Sequence, residues 1–363
     1  MESIPKKRIL VCPLDWGLGH ATRCVPIINE LLKQQVEVVL AAEGRPLQLL
    51  QQEFPQLEAI PFPGYEIHYP KRLPLGLSML LQAPRILYRI NKETRDLDLL
   101  LKKHSIDAVI SDNRYGLHSR KVPCVFITHQ LTVKMPSHLS FLESLTHSVT
   151  QRFVKHYTFC WVPDKAEPQG LSGDLSHKFR PLSNTSFIGP LSRFSYSPPE
   201  APEYPLVVLL SGPEPRRTLF EDKLKDQLKA LPVKSLLIRG VPGEGYRQIS
   251  DTLTSVGHLE AKALQKVLQN AEFVLSRPGY STLMDLCVLK KRGIFIPTPG
   301  QTEQEYLGRE LMESGKAFCV NETDLSVADA LQKAKAFPAL GFEERCFEDH
   351  KTAVKDFLNR IFA

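Results

Sequence analysis

Short apolar runs alternate with amphipathic stretches along most of this chain, and this alternation limits the possible folds more than any other feature. Apolar runs followed by helical patterns are typical of βα units, so the sequence predicts an α/β protein built on parallel sheets. The alternation stops at residues 190–205, where five prolines exclude a helix or an inner strand. We therefore expect two doubly wound domains, with a ligand-binding cleft between the ends of their sheets.

The chain length fits this division. With 363 residues, the chain is longer than a single hydrophobic core usually supports. We predict an N-terminal domain at 1–189, a Pro-rich linker at 190–205, a C-terminal domain at 206–342 and a closing helix at 343–363. Among the helices, we expect one at 21–33 and a longer one at 77–103 that Pro84 interrupts.

Composition narrows the class of protein. Hydrophobic residues make up 42% and charged residues 24%, as in soluble globular proteins. We find neither a membrane-spanning run nor a signal peptide, so we expect a cytoplasmic protein. The seven scattered cysteines contain no C-x-x-C pair, which argues against a disulfide framework or a structural zinc site.

The net charge of +6 lies in residues 1–200, which hold 24 Lys and Arg against 18 Asp and Glu. This excess suggests an anionic partner or surface for the first half of the chain. It is too modest to indicate a nucleic-acid partner.

The first βα loop reads PLDWGLGHATR, residues 13–23. Gly17 and Gly19 permit a tight turn and a close approach of a ligand to the backbone, and His20 stands at the start of the predicted helix. The loop lacks the full G-x-G-x-x-G spacing of a dinucleotide site. We interpret His20 as a proton-transfer residue, the alternative being a helix cap or a packing residue.

Two further loops lead to the same edge of the first predicted sheet. Asp112 follows the apolar run IDAVI and is placed to orient His20, unless it only forms an Asx turn with Asn113. His129 and Gln130 follow the next strand, and we expect them to contact an acceptor molecule.

In the second half, the stretch LVVLLSGPEPRR predicts a strand, a loop and a helix start. Ser211 and Gly212 offer hydrogen-bond donors, and Arg216 or Arg217 offers a guanidinium group for a phosphate oxygen. A proline-rich turn with solvated arginines is the alternative interpretation.

The stretch LSRPGYSTLMD places an arginine, a glycine and three hydroxyl groups around another helix start. Arg277, Gly279, Tyr280, Ser281 and Thr282 are candidates for binding an anion there. The alternative is structural, since Thr282-x-x-Asp285 also fits a capping box.

A third loop in this half, PTPGQTEQEYLG, leads into a helix that begins near Glu303, Gln304 and Glu305. Amide and carboxylate groups can pair with sugar hydroxyls, which both donate and accept hydrogen bonds. Alternatively, Glu303 complements the helix dipole and Gln304 faces solvent.

These motifs resemble those of GT-B glycosyltransferases, two-domain Rossmann-like enzymes, and in particular the family 28 group that includes the bacterial peptidoglycan N-acetylglucosaminyltransferase. The resemblance covers nearly the whole chain and is most specific at SRPGYSTLMDL and IPTPGQTEQEYL. It implies that His20 faces the acceptor, that the turn from Arg277 to Thr282 binds a nucleotide diphosphate, and that Asp285 holds the ribose.

For the remaining donor contacts, the resemblance implies that Gln304, with Glu303 or Glu305, holds the donor sugar. Backbone groups near Leu259 would hold the uracil. The loop at Ser211 corresponds to a glycine-rich loop of the family.

The resemblance also implies a mechanism, in which His20, supported by Asp112, deprotonates the acceptor hydroxyl. The nucleotide sugar is a co-substrate, and we expect neither a cofactor nor a metal; Asp96 and Asp98 fit the solvated side of a helix. We expect an acceptor of the lipid-linked or glycan type, and residues 71–92 fit a basic and apolar contact with an anionic membrane or, alternatively, a core helix. Two other functions stay open: a nucleotide-sugar hydrolase or 2-epimerase of the same fold, and a non-catalytic nucleotide-sugar-binding protein.

Overall fold

The computed structural model describes residues 7–64, 75–166, 170–241, 243–342 and 344–362, and the chain divides into two compact units. The first unit comprises Met1–Ser192 together with Glu344–Ala363, and the second comprises Arg193–Glu343. The end of the chain therefore returns to the first unit.

The described residues of the first unit form a 7-stranded sheet in the order β3-β2-β1-β4-β5-β6-β7. All its pairings are parallel. Its strands are β1 Arg8–Pro13, β2 Glu37–Ala42, β3 Glu58–Pro61, β4 Ala108–Asp112, β5 Cys124–Ile127, β6 Phe159–Val162 and β7 Thr185–Phe187. Its helices are α1 Leu18–Lys33, α2 Gly44–Glu53, α3 Leu75–His104, α4 Glu143–Val154, α5 Asp174–His177 and α11 Asp349–Phe362, with 3-10 turns at Ser137–Leu142 and Glu344–Phe347.

The central strands of this sheet are covered on both faces. Ile9, Leu10 and Val11 of β1 are fully buried, as expected for a parallel sheet between two layers of helices. Helix α11 packs against α1.

Three of the predicted helices differ from their predicted bounds. The closing helix predicted from residue 343 is α11, which begins only at Asp349, after a 3-10 turn. Helix α1 begins at Leu18, before the predicted start at residue 21, because Gly17 adopts a positive φ of 98° that ends the loop there. Helix α3 continues through Pro84, so the predicted interruption is wrong. Pro84 is exposed, and a long helix tolerates the loss of one backbone hydrogen bond at such a site by bending.

In the second unit, the described residues form another 7-stranded sheet, in the order β10-β11-β9-β8-β12-β13-β14. Its strands are β8 Leu206–Leu209, β9 Ser235–Ile238, β10 Arg247–Gln248, β11 Leu253–Val256, β12 Phe273–Ser276, β13 Arg292–Phe295 and β14 Phe318–Cys319. Its helices are α6 Arg216–Lys229, α7 Ala261–Asn270, α8 Tyr280–Val288, α9 Thr302–Glu313 and α10 Val327–Ala334.

Strands β10 and β11 are absent from the sequence-based prediction. They pair antiparallel with each other, and β11 is parallel to β9. The β11 sequence, LTSV, has two polar residues among four, which is too weak a signal for a buried strand.

The Pro-rich segment packs against its own unit. Its backbone at Ser195, Ser197 and Glu200 hydrogen-bonds to side chains of α7, at distances of 2.8–3.2 Å. These contacts hold the segment along one helix of the second unit.

Both sheets reverse their strand order at one point, between β1 and β4 in the first unit and between β8 and β12 in the second. Ligands of doubly wound sheets bind at the carboxyl ends of the strands beside such a point. We therefore expect the functional residues in the loops after β1, β4, β8, β12 and β13. Within the described residues, no helix combines the length and the apolar character needed to cross a membrane.

Candidate active site

His20 and Asp112 lie at the reversal point of the first sheet. The pairing of Pro13 with Asp112 brings the end of β4 beside the end of β1, and His20 is in the first turn of α1. His20 Nδ1 is 3.0 Å from Asp112 Oδ1. The His20 side chain is 17% exposed and the Asp112 side chain is 0% exposed, so the pair joins a buried carboxylate to an imidazole that solvent can reach.

Arg23 completes this group, and sequence reasoning did not find it. Its Nε and Nη2 donate to the two carboxylate oxygens of Asp112, and Nη2 also lies 3.0 Å from His20 Nδ1. With its carboxylate bound in this way, Asp112 forms no Asx turn among the described residues. The signal was available: Arg23 stands in the apolar run ATRCVPII, and a charge in a buried run requires a buried partner.

Burial and the neighbouring charges together shift two pKa values in this group. Burial would raise the pKa of the Asp112 carboxyl, but Arg23 outweighs burial and brings it to about 2. Burial lowers the pKa of His20 below its ordinary value, and Arg23 lowers it further, although Asp112 acts in the opposite direction. Asp112 is therefore ionised at neutral pH, whereas His20 is uncharged and able to accept a proton.

His129 belongs to the same group. It is buried after β5, and its Nδ1 lies 3.1 Å from Arg23 Nη1. Gln130 is half-buried, and its backbone donates to Thr128 Oγ1. The predicted contact of His129 and Gln130 with an acceptor stays a prediction.

A second carboxylate, Asp15, lies in the loop between β1 and α1. Asp15 Oδ1 is buried and has no hydrogen-bond partner in the described part of the chain. Burial raises the pKa of Asp15 above its ordinary value. The sequence around Asp15 does not predict this burial, because polar residues in loops are usually exposed.

In the second unit, Arg277 follows β12 and is almost fully buried. Its Nη1 donates to the carbonyl oxygens of Ile296 and Pro297, each at 3.0 Å, and its Nη2 donates to Glu322 at 2.6 Å. The guanidinium carbon lies 3.7 Å from the centroid of the Phe220 ring. Arg277 thus connects the ends of neighbouring strands.

The capping box, which was the alternative interpretation of this loop, is wrong. Helix α8 begins at Tyr280, its N-cap is Gly279, and no side chain caps it. Thr282 and Asp285 lie inside the helix and are half-buried. A glycine N-cap leaves the first turn of α8 uncapped by a side chain, which suits the binding of an anion.

The loop after β8 distinguishes its two arginines. Arg217 is buried, and it bonds to Glu214, Glu221 and Thr218. The Arg216 side chain is exposed and forms no hydrogen bond or ion pair within the described residues. Its charge acts on Arg277, whose pKa is lowered by burial and also by Arg216. Arg216 is therefore the guanidinium available to a phosphate.

Two small residues precede Arg216. Ser211 and Gly212 are exposed, and Gly212 has a φ of +108° with open space where a Cβ would lie. The positive φ suits glycine at this position.

Helix α9 begins beside the end of β13. Gln304 Oε1 accepts from the Thr298 backbone N–H at 2.9 Å, and Glu305 Oε1 accepts from Gly300 N–H at 2.7 Å. The Gln304 side-chain nitrogen has no partner in the described chain, so it is able to donate to a ligand. Glu303 lies half-buried in the first turn of the same helix.

Leu259 lies after β11, two strands away from β8 in the sheet. It is buried, while the backbone of Gly257 pairs with Val241 and Glu244. A Cβ at Gly257 would lie 2.3 Å from the Val241 carbonyl oxygen, so only glycine fits there.

The structure brings together three of the four loops that were predicted to bind the donor, and it leaves the fourth apart. Strands β8, β12 and β13 are adjacent, so the loops with Arg216, Arg277 and Gln304 share one edge of the second sheet. Leu259 lies further along that edge. The described residues contain no cluster of His, Cys, Asp and Glu side chains suited to hold a metal ion.

Comparisons with known proteins agree with this architecture. Residues 250–356 match the model of the glycosyltransferase family 28 C-terminal domain. The chain is 23% identical over 339 residues to the UDP-N-acetylglucosamine--N-acetylmuramyl-(pentapeptide) pyrophosphoryl-undecaprenol N-acetylglucosamine transferase of Haemophilus ducreyi, with 90% of this chain and 88% of that protein covered. It is 25% identical over 333 residues to an uncharacterized glycosyltransferase of Methanosarcina acetivorans, with 85% and 82% covered.

A solved structure shares the fold. The glycosyltransferase SnogD from Streptomyces nogalater matches with a TM-score of 0.62 and 15% identity, over 98% of this chain and 100% of that chain. The predicted α/β fold with two Rossmann-like domains of the GT-B type is confirmed.

Asp112→Asn should destabilise the protein strongly. The substitution leaves the Arg23 guanidinium buried without its counter-charge, and breaking a buried pair in this way costs about 3–5 kcal/mol. The measurement is the free energy of unfolding by urea titration. As a control, Asp98→Asn removes an exposed ion pair with Lys121 and should change stability by no more than about 1 kcal/mol. Equal effects of the two substitutions would contradict the assigned role of the buried pair.

Proposed function

We propose that this chain, a family 28-like glycosyltransferase of the GT-B fold, transfers a sugar from a UDP-sugar to an acceptor hydroxyl with His20 as the base. The observation that carries the proposal is the contact between His20 and the buried Asp112 at the carboxyl edge of the first sheet. The relative from Haemophilus ducreyi supports the choice of donor, because its name specifies UDP-N-acetylglucosamine. UDP-N-acetylglucosamine is therefore the first donor to test.

In the proposed reaction, the acceptor O–H bond breaks and its proton moves to His20 Nε2. The acceptor oxygen forms a bond to the anomeric carbon of the sugar. The bond between that carbon and the phosphate oxygen breaks, and its electron pair leaves with UDP. Asp112 stabilises the imidazolium that forms, which is the usual role of a carboxylate behind a histidine base.

Arg216 and the start of α8 stabilise the departing diphosphate. An exposed guanidinium and the N–H groups of a helix start place positive charge where the leaving group gains negative charge. Gly279, Tyr280, Ser281 and Thr282 line this helix start, and Ser211 and Gly212 add donors from the neighbouring loop. We assign Arg277 a positioning role, because its guanidinium already binds Glu322 and two carbonyl groups. This set of donors supplies positive charge without a metal, and we propose a metal-independent reaction.

The remaining donor groups are assigned to the sugar and the nucleoside. Asp285 holds the ribose hydroxyls. Gln304 donates from its side-chain nitrogen to the sugar, with Glu303 and Glu305 in support. The backbone around Leu259 holds the uracil.

For the acceptor, we propose a lipid-linked precursor of a cell-envelope glycan. The relative from Haemophilus ducreyi supports this class, because its name specifies a pyrophosphoryl-undecaprenol. The test is release of UDP from UDP-N-acetylglucosamine with and without a polyprenyl-pyrophosphoryl sugar. Release that depends on the acceptor supports transfer. Free sugar without the acceptor would indicate a hydrolase, an isomerised sugar would indicate a 2-epimerase, and binding without turnover would indicate a non-catalytic protein.

His20→Ala should lower kcat by about 10²–10⁴-fold, the usual contribution of a general base. The affinity for UDP, measured by isothermal titration calorimetry, should not change, because His20 belongs to the acceptor side. His156→Ala is the control, since His156 is exposed and precedes β6 at the opposite edge of the sheet. If acceptor-dependent turnover survives His20→Ala, the base is wrongly assigned.

Arg216→Ala should weaken UDP binding by about 10- to 100-fold, because hydrogen bonds to charged groups contribute about 1.5–3 kcal/mol. Lys229→Ala is the matched control: it removes the same charge from the other end of α6, about 20 Å away by helical rise.

The Asp285→Ala variant should bind UDP and its 2′- and 3′-deoxy forms equally, whereas the unaltered protein prefers UDP. A preference for UDP that survives in the variant would exclude Asp285 as the ribose partner.

We also propose peripheral contact with an anionic membrane surface through α3. Of the predicted segment 71–92, residues 71–74 and the side chains of 75–83 lie outside the described residues. In the described part, Leu87 is 49% exposed and Tyr88 is 66% exposed, close to Arg85 and Arg89. Apolar side chains beside basic ones are typical of helices that bind at the surface of a membrane.

Arg85→Glu together with Arg89→Glu should lower the binding to phosphatidylglycerol vesicles at least about tenfold, since each basic residue near such a surface contributes about 1 kcal/mol. Vesicle co-sedimentation measures the effect. Lys262→Glu with Lys266→Glu makes the same charge change on α7 and should have little effect. Equal binding by the Arg85 and Arg89 variant and the unaltered protein would rule out this contact.

A further inference from the structure

Arg23 is placed to control the protonation of His20. The two residues are three positions apart on α1, so they lie on the same face of the helix. Arg23 is 1% exposed, and its guanidinium reaches both oxygens of Asp112 and one nitrogen of each of two histidines, His20 and His129.

The contacts at His20 Nδ1 are compatible with two positions of the imidazole proton. An arginine nitrogen always donates, and an ionised carboxylate always accepts. Nδ1 lies 3.0 Å from Asp112 Oδ1 and 3.0 Å from Arg23 Nη2. If Nδ1 carries a proton, it donates to Asp112 and Nε2 keeps a free electron pair. If Nδ1 accepts from Arg23, Nε2 carries the proton and cannot act as a base.

Charge balance favours an uncharged imidazole. Arg23 and Asp112 sum to zero, so a neutral His20 leaves the buried group without net charge. Without Arg23, the buried carboxylate of Asp112 would be balanced most simply by a protonated His20. Two further titratable groups of the described chain act on His20, namely His129, after β5, and Asp15, in the loop before α1.

We propose that Arg23 is a positioning residue that keeps His20 uncharged, with Nδ1–H directed to Asp112 and Nε2 free, by neutralising the Asp112 carboxylate. Its bonds to both carboxylate oxygens fix the orientation in which Oδ1 meets Nδ1. The role rests on the proposed function, since an uncharged His20 matters only if it accepts the proton of the acceptor. The lowered pKa of His20, caused by burial and then by Arg23, agrees with it.

The test compares Arg23→Gln with Arg23→Lys. Arg23→Gln removes the charge, so the pKa of His20 should rise by at least about one unit. Arg23→Lys keeps the charge and should leave the titration of His20 near that of the unaltered protein. Both are followed by NMR titration of 15N-labelled histidine side chains, with His20→Ala to assign the signal. A His20 titration that stays unchanged in folded Arg23→Gln would overturn the proposal.

A measurement on the unaltered protein covers the case in which Arg23→Gln does not fold. The 15N shifts of His20 at pH 7 should report a neutral ring with the proton on Nδ1. An imidazolium, or a proton on Nε2, would overturn the proposal.

Activity gives a second readout. A rise of one unit in the pKa of His20 should shift the acidic limb of the pH profile of kcat/KM upward by one pH unit. Below that limb, kcat/KM should be about tenfold lower than in the unaltered protein, and it should recover at higher pH. A purely structural role for Arg23 would lower activity at every pH and leave the limb in place, which would contradict the proposal. The NMR titration needs neither donor nor acceptor, so a chain without transferase activity but with the expected shift would count against the proposed function alone.

Discussion

The buried ion pair between Arg23 and Asp112 is the constraint on which the first unit's site depends. It ties α1 to the end of β4 and thereby fixes the rotation of the helix about its axis. Both side chains are withdrawn from water, and such a pair is stable only when further hydrogen bonds satisfy its remaining groups. His20 and His129 supply part of that satisfaction, so the histidines and the ion pair hold each other in place.

The second unit also contains a buried charged group held by hydrogen bonds, the guanidinium of Arg277. Its guanidinium joins the residues after β12, β13 and β14 through two carbonyl groups and Glu322, and it lies over the ring of Phe220. Moving Arg277 toward a ligand would leave Glu322 with the exposed Lys223 as its one cationic partner within the described part of the chain. A buried cation that is already paired is suited to shaping a site, whereas the exposed Arg216 is suited to binding a transient anion.

The alternation of strands and helices was enough to predict the α/β fold and the edge of each sheet where polar loops gather. It could not predict which atoms meet there. Thr282 and Asp285 have the spacing of a capping box, but Gly279 adopts an extended conformation and starts the helix earlier. Arg216 and Arg217 are adjacent in sequence, yet one helical step of about 100° separates an exposed cation from a buried one. Such outcomes depend on tertiary packing, which local spacing does not encode.

The net charge of each half of the chain shows the same limit of sequence-based prediction. The excess of basic residues lies in residues 1–200, whereas residues 201–363 hold 22 Lys and Arg against 22 Asp and Glu. In the proposed reaction, the diphosphate leaves from the half of the chain that has no net charge. The field at a site is set by the few groups that point into it, here one exposed guanidinium and the start of a helix, and not by the sum over a domain. In the basic half, the reaction needs the opposite property: a group that is neutral at rest, can take up one proton and has a carboxylate beside the imidazolium that results. The Arg23, Asp112 and His20 contacts provide that arrangement, and its cost is a buried ion pair that only the surrounding fold can hold.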